Sequence, residues 1–204
     1  MATASHLEPS SDGSPVDLSV LESQVRESFG RVVFSHKTHE KDADRYFRRL
    51  NFLKMVQIVL STVTTGGLVV ILLGASRVAT VVATLTSSLL LALTFYTKDY
   101  DLGELAQKHS DTAVRLWTIR ESYQSLLADI ATGDVSLGHV RNRRAELQED
   151  LESVYRAAPR TTPKAYKAAQ KALQVEQELT FDPGEIDNFL PPALRKMQPV
   201  HRDT

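Results

Sequence analysis

The chain has 204 residues, with 24 lysines and arginines against 25 aspartates and glutamates, a formal net charge of −1 and no cysteine. The lack of cysteine excludes a disulfide-stapled secreted domain, a thiolate zinc site and a cysteine nucleophile. The near-neutral charge gives no general attraction to nucleic acid, so no direct nucleic-acid binding is predicted. The mean hydropathy of −0.20 is an average of two unlike parts, because residues 55–97 contain one formal charge, Arg77, and the flanking residues are densely charged.

The N-terminal part is predicted to consist of a tail and helices. Residues 1–15 are rich in serine, proline, glycine and aspartate and are predicted to be a disordered tail, without the basic start and apolar core of a signal peptide. Residues 16–54 are predicted to form cytosolic N-terminal helices that start near Ser14-Pro15-Val16-Asp17. Apolar residues then recur at helical spacing, at Leu18, Leu21, Val25, Phe29 and Val32.

Residues 55–97 are predicted to be a transmembrane hairpin with spans at about 55–76 and 78–97. At about 1.5 Å per residue, each stretch matches a hydrocarbon core of roughly 30 Å. Arg77 marks the predicted turn, whereas several basic residues precede the first span, so the positive-inside rule predicts that both termini are cytoplasmic. The alternative is a buried hairpin inside a soluble helical bundle.

The spans are rich in hydroxyl and small side chains, and five were singled out: Thr62, Gly66, Thr80, Thr84 and Ser88. The last three follow one another at four-residue steps and therefore share a helical face. This face either packs closely, with hydroxyls bonded to their own i−4 carbonyls, or lines a polar path between several copies. The spacing alone favours packing. The absence of charge inside either span argues against a charged selectivity ring there.

Residues 98–158 are predicted to form a cytosolic antiparallel helical pair, with a first helix from Leu102 to about Ala131 and a second from about Ser136 to Ala157. Heptad spacing in the first helix predicts a coiled-coil-like stalk and a seam for oligomerisation. Trp117 is predicted to be a core residue beside this seam. The candidate seam residues are Leu105, His109, Leu116, Ile119, Tyr123 and Leu126.

Residues 159–204 are predicted to form C-terminal helices and a tail, with one helix from Lys164 to about Leu179 and a short one after Asp182-Pro183-Gly184-Glu185. No alternating apolar pattern with turn residues predicts a strand. The predicted fold is therefore all-α: a membrane hairpin joined to a cytosolic helical bundle.

The search for catalytic chemistry yields one weak candidate. His36, His39 and Glu40 stand at i, i+3 and i+4, a spacing that suits a metal but lacks a third strong ligand nearby, so a solvated polar face is favoured. No phosphate-binding loop, dinucleotide fingerprint or nucleophile elbow is present. We therefore predict that the protein is not an enzyme and has no catalytic, metal or cofactor site.

Four stretches resemble the SLATT domain, a two-transmembrane effector associated with SMODS nucleotidyltransferases and SLOG proteins. They are HKTHEKDAD at 36–44, YTKDYDLGELAQKH at 96–109, LWTIRESYQSLL at 116–127 and APRTTPKAYKAA at 158–169. Their order and spacing, together with the two spans, carry the resemblance over roughly residues 30–190. The stretch 99–109 looks most like the subfamily associated with reverse transcriptases.

The resemblance implies an effector of a bacterial anti-phage conflict system in the inner membrane. Such a protein is expected to oligomerise and permeabilise the membrane when a partner or nucleotide signal is sensed, causing abortive infection. The implied partners are the lipid bilayer, further copies, and a separately encoded reverse transcriptase or nucleotidyltransferase system. The resemblance moves the interpretation of the Thr80, Thr84 and Ser88 face towards a pore lining. The alternative function is a non-conducting anchor that tethers such a partner.

Overall fold

The computed structural model describes residues 15–74 and 77–195, which contain six α-helices and one short 3-10 helix. None of these residues lies in a strand, and the all-α prediction is confirmed. The predicted N-terminal tail lies outside the described residues except for Pro15. The α-helices are α1 (Pro15–Leu72), α2 (Arg77–Asp99), α3 (Leu102–Thr132), α4 (Leu137–Ala157), α5 (Pro163–Gln174) and α6 (Pro183–Phe189).

The first helix is continuous where the sequence predicted several elements. α1 runs for 58 residues, about 87 Å at about 1.5 Å per residue, through the predicted boundary at residue 54 and on into the first span. The sequence has no proline between Pro15 and Pro159 that would interrupt a helix. One continuous helix therefore connects the extramembrane part of the protein with its first span.

A three-helix bundle is formed by α3, α4 and the N-terminal half of α1. Contacts pair residues of α1 and α4 that are 120 positions apart, such as Ser35 with Tyr155, so these two helices run parallel. His39 contacts His109, and Leu50, later in α1, lies beside Gly103, earlier in α3, so α3 runs antiparallel to α1. The buried core consists of Leu21, Val25, Val32, Leu116, Ile119, Tyr123, Leu126, Ile130, Val140, Leu147 and Val154.

The C-terminal helices pack against the bundle near the middle of α1. Thr162 caps α5 by accepting a hydrogen bond from the backbone N–H of Ala165, and Pro163 follows in the first turn. α5 ends at Gln174, five residues before the predicted end, and buries three alanines against α1. Asp182 and Glu185 form a capping box at the start of α6, as the sequence indicated.

Candidate functional site: the membrane hairpin and its extramembrane junction

Both spans have the length and composition needed to cross a membrane. The apolar stretch of α1 is wholly unburied within the protein, and that of α2 is 6% buried, so this hairpin is not the core of a soluble bundle. The first span ends at Leu72, four residues before its predicted end, and Arg77 opens α2 instead of lying in the turn. Residues 75 and 76 of the predicted turn lie outside the described residues.

The two spans meet through small and hydroxyl-bearing residues. A Cβ atom on Gly67 would lie 3.1 Å from the Cβ of Ala83, which is 5% exposed, so this glycine allows the close approach. Thr64 and Thr86 share a hydrogen bond of 2.9 Å between their Oγ1 atoms across the interface. Nearer the bundle, a second hydrogen bond of 3.2 Å joins the side chains of Gln57 and Thr97. This face holds the hairpin together.

The five span residues singled out from the sequence lie elsewhere. Thr62, Gly66, Thr80, Thr84 and Ser88 are all exposed, on surfaces turned away from the hairpin interface. The hydroxyls of Thr84 and Ser88 donate to the carbonyl oxygens four residues earlier, at 2.8 and 2.9 Å. These residues therefore do not pack the two spans of one hairpin against each other.

Sequence reasoning missed the residues that do pack the hairpin. Their signal was a heptad-like spacing in the first span, in which residues 53, 57, 60, 64, 67 and 71 all lie on the less exposed face. A scan for hydroxyls and glycines alone does not distinguish Gly66 from Gly67, although a Cβ atom on Gly66 would contact nothing within 4 Å.

One side of the hairpin carries an open groove of about 1070 Å³ at the depth of the spans, and most of its lining surface is apolar. Hydroxyl and amide side chains from both helices also line it, among apolar neighbours that include Ile58, Val69 and Leu90. Among the described residues, only α1 and α2 line this groove, and no further helix covers it. Its polar lining consists of Gln57, Ser61, Thr62, Thr65, Thr94 and Thr97.

The predicted seam of α3 is the inner face of the three-helix bundle. His109, Leu116, Ile119, Tyr123 and Leu126 are buried, and Leu105 is half-buried. Their principal neighbour is α1 of the same chain, and α4 covers the C-terminal part. The heptad stripe is thus used within the chain, and in this arrangement it offers no open surface to a second copy.

His36, Lys37, Thr38 and His39 are all buried, so the prediction of a solvated polar face is wrong here. Four consecutive buried helical residues require neighbours around the whole circumference, and α3, α4 and α5 provide them. The Nδ1 atoms of His39 and His109 lie 2.9 Å apart, and the ring of Tyr46 stacks on His109 with centroids 5.5 Å apart. We call this region the junction, because α1, α3 and α5 meet there.

Asp42 is the central acceptor of the junction. Its carboxylate is fully buried and accepts hydrogen bonds from the backbone N–H of Thr162, at 2.8 Å, and from its hydroxyl, at 2.6 Å. Arg45 donates to the same hydroxyl oxygen at 2.8 Å. These bonds fix the start of α5 on α1 about ten residues before the first span.

The histidines of the junction are neutral at pH 7. Burial lowers the pKa of His39 to about 4, with His109 and His36 contributing and Asp42 opposing. Burial also lowers the pKa of His109 and of His36. A neutral pair can share one hydrogen between the two Nδ1 atoms, which suits a structural contact between α1 and α3. Among the described residues, no three histidine, aspartate or glutamate side chains are grouped to hold a metal ion.

Together, these features define a small membrane protein in which a two-helix hairpin continues directly into an extramembrane helical bundle. Residues 21–185 match the SMODS and SLOG-associating 2TM effector domain family 4, and the chain belongs to this SLATT family. The resemblance to the SLATT domain is confirmed, and with it the assignment as a membrane effector domain of conflict systems. The association with reverse transcriptases stays a prediction. No curated protein and no solved structure matches the chain significantly.

Proposed function

We propose that this chain is a pore-forming effector of a bacterial anti-phage system. Several copies assemble in the inner membrane, with both termini in the cytoplasm, and open a water path when the bundle receives a nucleotide signal or contacts a separately encoded partner. The observation that carries the proposal is the hydroxyl-rich surface on the outside of the hairpin, where Thr62, Thr80, Thr84 and Ser88 are exposed.

Assembly is required because one hairpin cannot enclose a path. Its interface is closed by Gly67 against Ala83 and by the Thr64–Thr86 hydrogen bond, which leaves no channel between the two helices. The groove and the Thr84 face are outside that interface, where neighbouring hairpins could join them into a common lining. Because the α3 stripe is occupied within the chain, we place the contacts between copies in the membrane.

The helices also offer a direct route for a signal. α1 is continuous from the bundle into the first span, and only Tyr100 and Asp101 separate α2 from α3. A change in how α1 and α3 pack at the junction would therefore rotate or separate the two spans. Basic residues before the first span, including Arg48, Arg49 and Lys54, support the cytoplasmic placement of the bundle.

The alternative is a non-conducting anchor that tethers a reverse transcriptase or nucleotidyltransferase partner. One observation favours it: the hydroxyls of Thr84 and Ser88 are satisfied by carbonyl oxygens of their own helix and need no water.

The experiment replaces the outer hydroxyl face and leaves the hairpin interface intact. The bacteria also express the protein encoded by the adjacent gene, as the candidate partner. Membrane potential is followed during a phage challenge for wild type and for T80L/T84L/S88L. V78L/V82L is the matched control, because it adds bulk to exposed positions of the same helix away from Thr84. We expect depolarisation in wild type and the control, and its loss in the triple variant at unchanged membrane abundance. Normal polarisation in all three strains with intact defence would favour the anchor.

A further inference from the structure

A cleft of about 500 Å³ opens on the extramembrane bundle beside the junction. One wall comes from α1 and the other from α3, and Glu178, in the segment between α5 and α6, also lines the cleft. Its size falls in the range of small-molecule sites, about 300–1,000 Å³.

The polar lining of the cleft includes the carboxylates of Glu40 and Asp44 and two lysines that together clamp the carboxylate of Glu178. The Nζ atoms of Lys37 and Lys41 both contact Glu178, the second at 2.9 Å. Lys37 is 8% exposed, and burying an ammonium group requires a partner anion; Glu40 also contacts it at 2.9 Å. Hydrogen bonds from Lys37 and Lys41 lower the pKa of Glu178, so the clamped group is a carboxylate at neutral pH.

The segment that delivers Glu178 is held in an unfavourable backbone conformation. Gln177 and Leu179, on either side of it, have φ values of +52° and +72°, a region that side chains other than glycine adopt at a cost. Both neighbours are exposed, and the Glu178 side chain itself is 35% exposed. The clamp therefore keeps a strained surface segment in place, and the segment can relax when the carboxylate leaves.

The opposite part of the cleft is apolar and aromatic. Trp117, predicted from the sequence to lie in the core, is instead 48% exposed and lines the cleft with Phe47 and Val114. The tryptophan offers a flat surface to a ring, and the two lysines in the same cleft offer positive charge to an anion. Exchange of the Glu178 carboxylate for a carboxylate ligand leaves the charge of the cleft unchanged, whereas a phosphate monoester adds up to one further negative charge.

We propose that this cleft binds small anions that carry an aromatic or apolar body, and that the carboxylate of Glu178 occupies the anion position until such a ligand displaces it. The ligand class is an organic phosphate or carboxylate. Its charged group lies between Lys37 and Lys41, and its body lies against Trp117. Binding releases the segment after α5 from α1, and this step is independent of whether the spans conduct.

The test uses the full chain in detergent micelles, with phenyl phosphate as the probe. Trp117 is the chain's one tryptophan, so its emission reports on the cleft directly. E178Q removes the intramolecular anion with little change in size. E176Q is the matched control, because it removes the same charge two residues away, where Glu176 pairs with Lys171. K41Q/E178Q removes half of the clamp.

We expect phenyl phosphate to change the Trp117 emission of E178Q saturably, with a Kd at least tenfold below that of wild type and of E176Q. K41Q/E178Q should lose most of the affinity that E178Q gains over wild type. Inorganic phosphate should compete with phenyl phosphate for the site. Equal titrations of E178Q and E176Q, or no response in any variant, would overturn the proposal. A response of E178Q that inorganic phosphate does not reduce would also overturn it, because it would show aromatic binding without an anion site.

Discussion

The extramembrane bundle and the membrane hairpin of this protein use their polar side chains in opposite ways. In the bundle, polar groups turn inwards: Asp42, His39 and His109 are all buried. His39 contacts His109 on α3, and Asp42 accepts hydrogen bonds from Thr162 at the start of α5. In the hairpin, many hydroxyls turn outwards, and Thr84 and Ser88 are exposed on a surface that lipid would otherwise cover.

This difference fits the proposal that the hairpin assembles with further copies in the membrane, whereas the bundle is completed within one chain. The bundle buries its heptad stripe against its own α1 and has a connected core. The hairpin contacts itself along one narrow face, centred on Gly67 and Ala83. We therefore expect substitutions in the bundle to alter the stability of the single chain, and substitutions on the outer hairpin to alter assembly and function.

The largest expected effect in the bundle is that of Asp42→Ala. Loss of the carboxylate leaves the backbone N–H and hydroxyl of Thr162 without their acceptor at a buried position, which costs about 3 kcal/mol. For a chain of this size, that corresponds to a decrease in Tm of roughly 6–12 °C. Thermal unfolding in detergent, followed by circular dichroism, measures it.

Asp44→Ala is the control for this prediction, because Asp44 lies two residues further along α1 and is exposed. We expect its Tm to change by no more than about 2 °C, as for an ordinary surface substitution. Equal effects of the two variants would mean that the bundle does not depend on its inward polar contacts.

The second prediction concerns acid sensitivity of the same bundle. The pKa of His39 is about 4 in the folded chain against 6.5 for the free side chain, so the unfolded chain binds the proton more readily. Stability is therefore full above pH 6.5 and decreases as the pH falls towards 4, with a loss of about 2 kcal/mol at pH 5.

The test compares the free energy of unfolding at pH 7.5 and pH 5 for wild type, His39→Gln and His139→Gln, which gives the direction and size of the pH dependence. His139 is exposed on α4 and serves as the control. The pH dependence should shrink in the first variant and persist in the second. A stability that rises on acidification would contradict the neutral histidine pair.

A third, smaller effect is expected inside the hairpin. Gly67→Leu places a side chain against Ala83 and forces the spans apart, at a cost of about 1–2 kcal/mol from overpacking. Because the chain has no native cysteine, the added pair T64C/T86C reports the separation by its disulfide yield. Gly66→Leu, on the outer surface, should leave that yield unchanged; an equal decrease would mean that the spans do not meet at Gly67.

The sequence predicted most helices and the two apolar spans because their signals are local, although it divided α1 at residue 54. Charge-free stretches locate the spans, Ser136 caps α4, and the Asp182–Glu185 box starts α6. The predictions of helix ends that lack a proline or glycine signal were less accurate. For example, α5 ends five residues earlier than predicted.

The junction could not be predicted because its partners are distant in sequence. Asp42 belongs to a densely charged stretch that is typical of a solvated helix, and its partner Thr162 is 120 residues away. A local signal did exist, since His36, His39, Ala43 and Tyr46 continue the inward stripe that begins at Leu21. The α3 stripe shows the converse problem, because a heptad pattern does not say whether its partner helix belongs to the same chain.

The most direct test of the central claim is water access to the outer hairpin surface. Single cysteines are placed at Thr84, on the hydroxyl face, or at Val82, an exposed position on another side of the same helix. Membranes from cells with the activated system are treated with a charged, membrane-impermeant thiol reagent. We predict that T84C reacts at least tenfold faster than V82C, because it lines a water path between copies. Equally slow modification of both would contradict the pore, since the Thr84 face would then be as dry as the lipid-facing side.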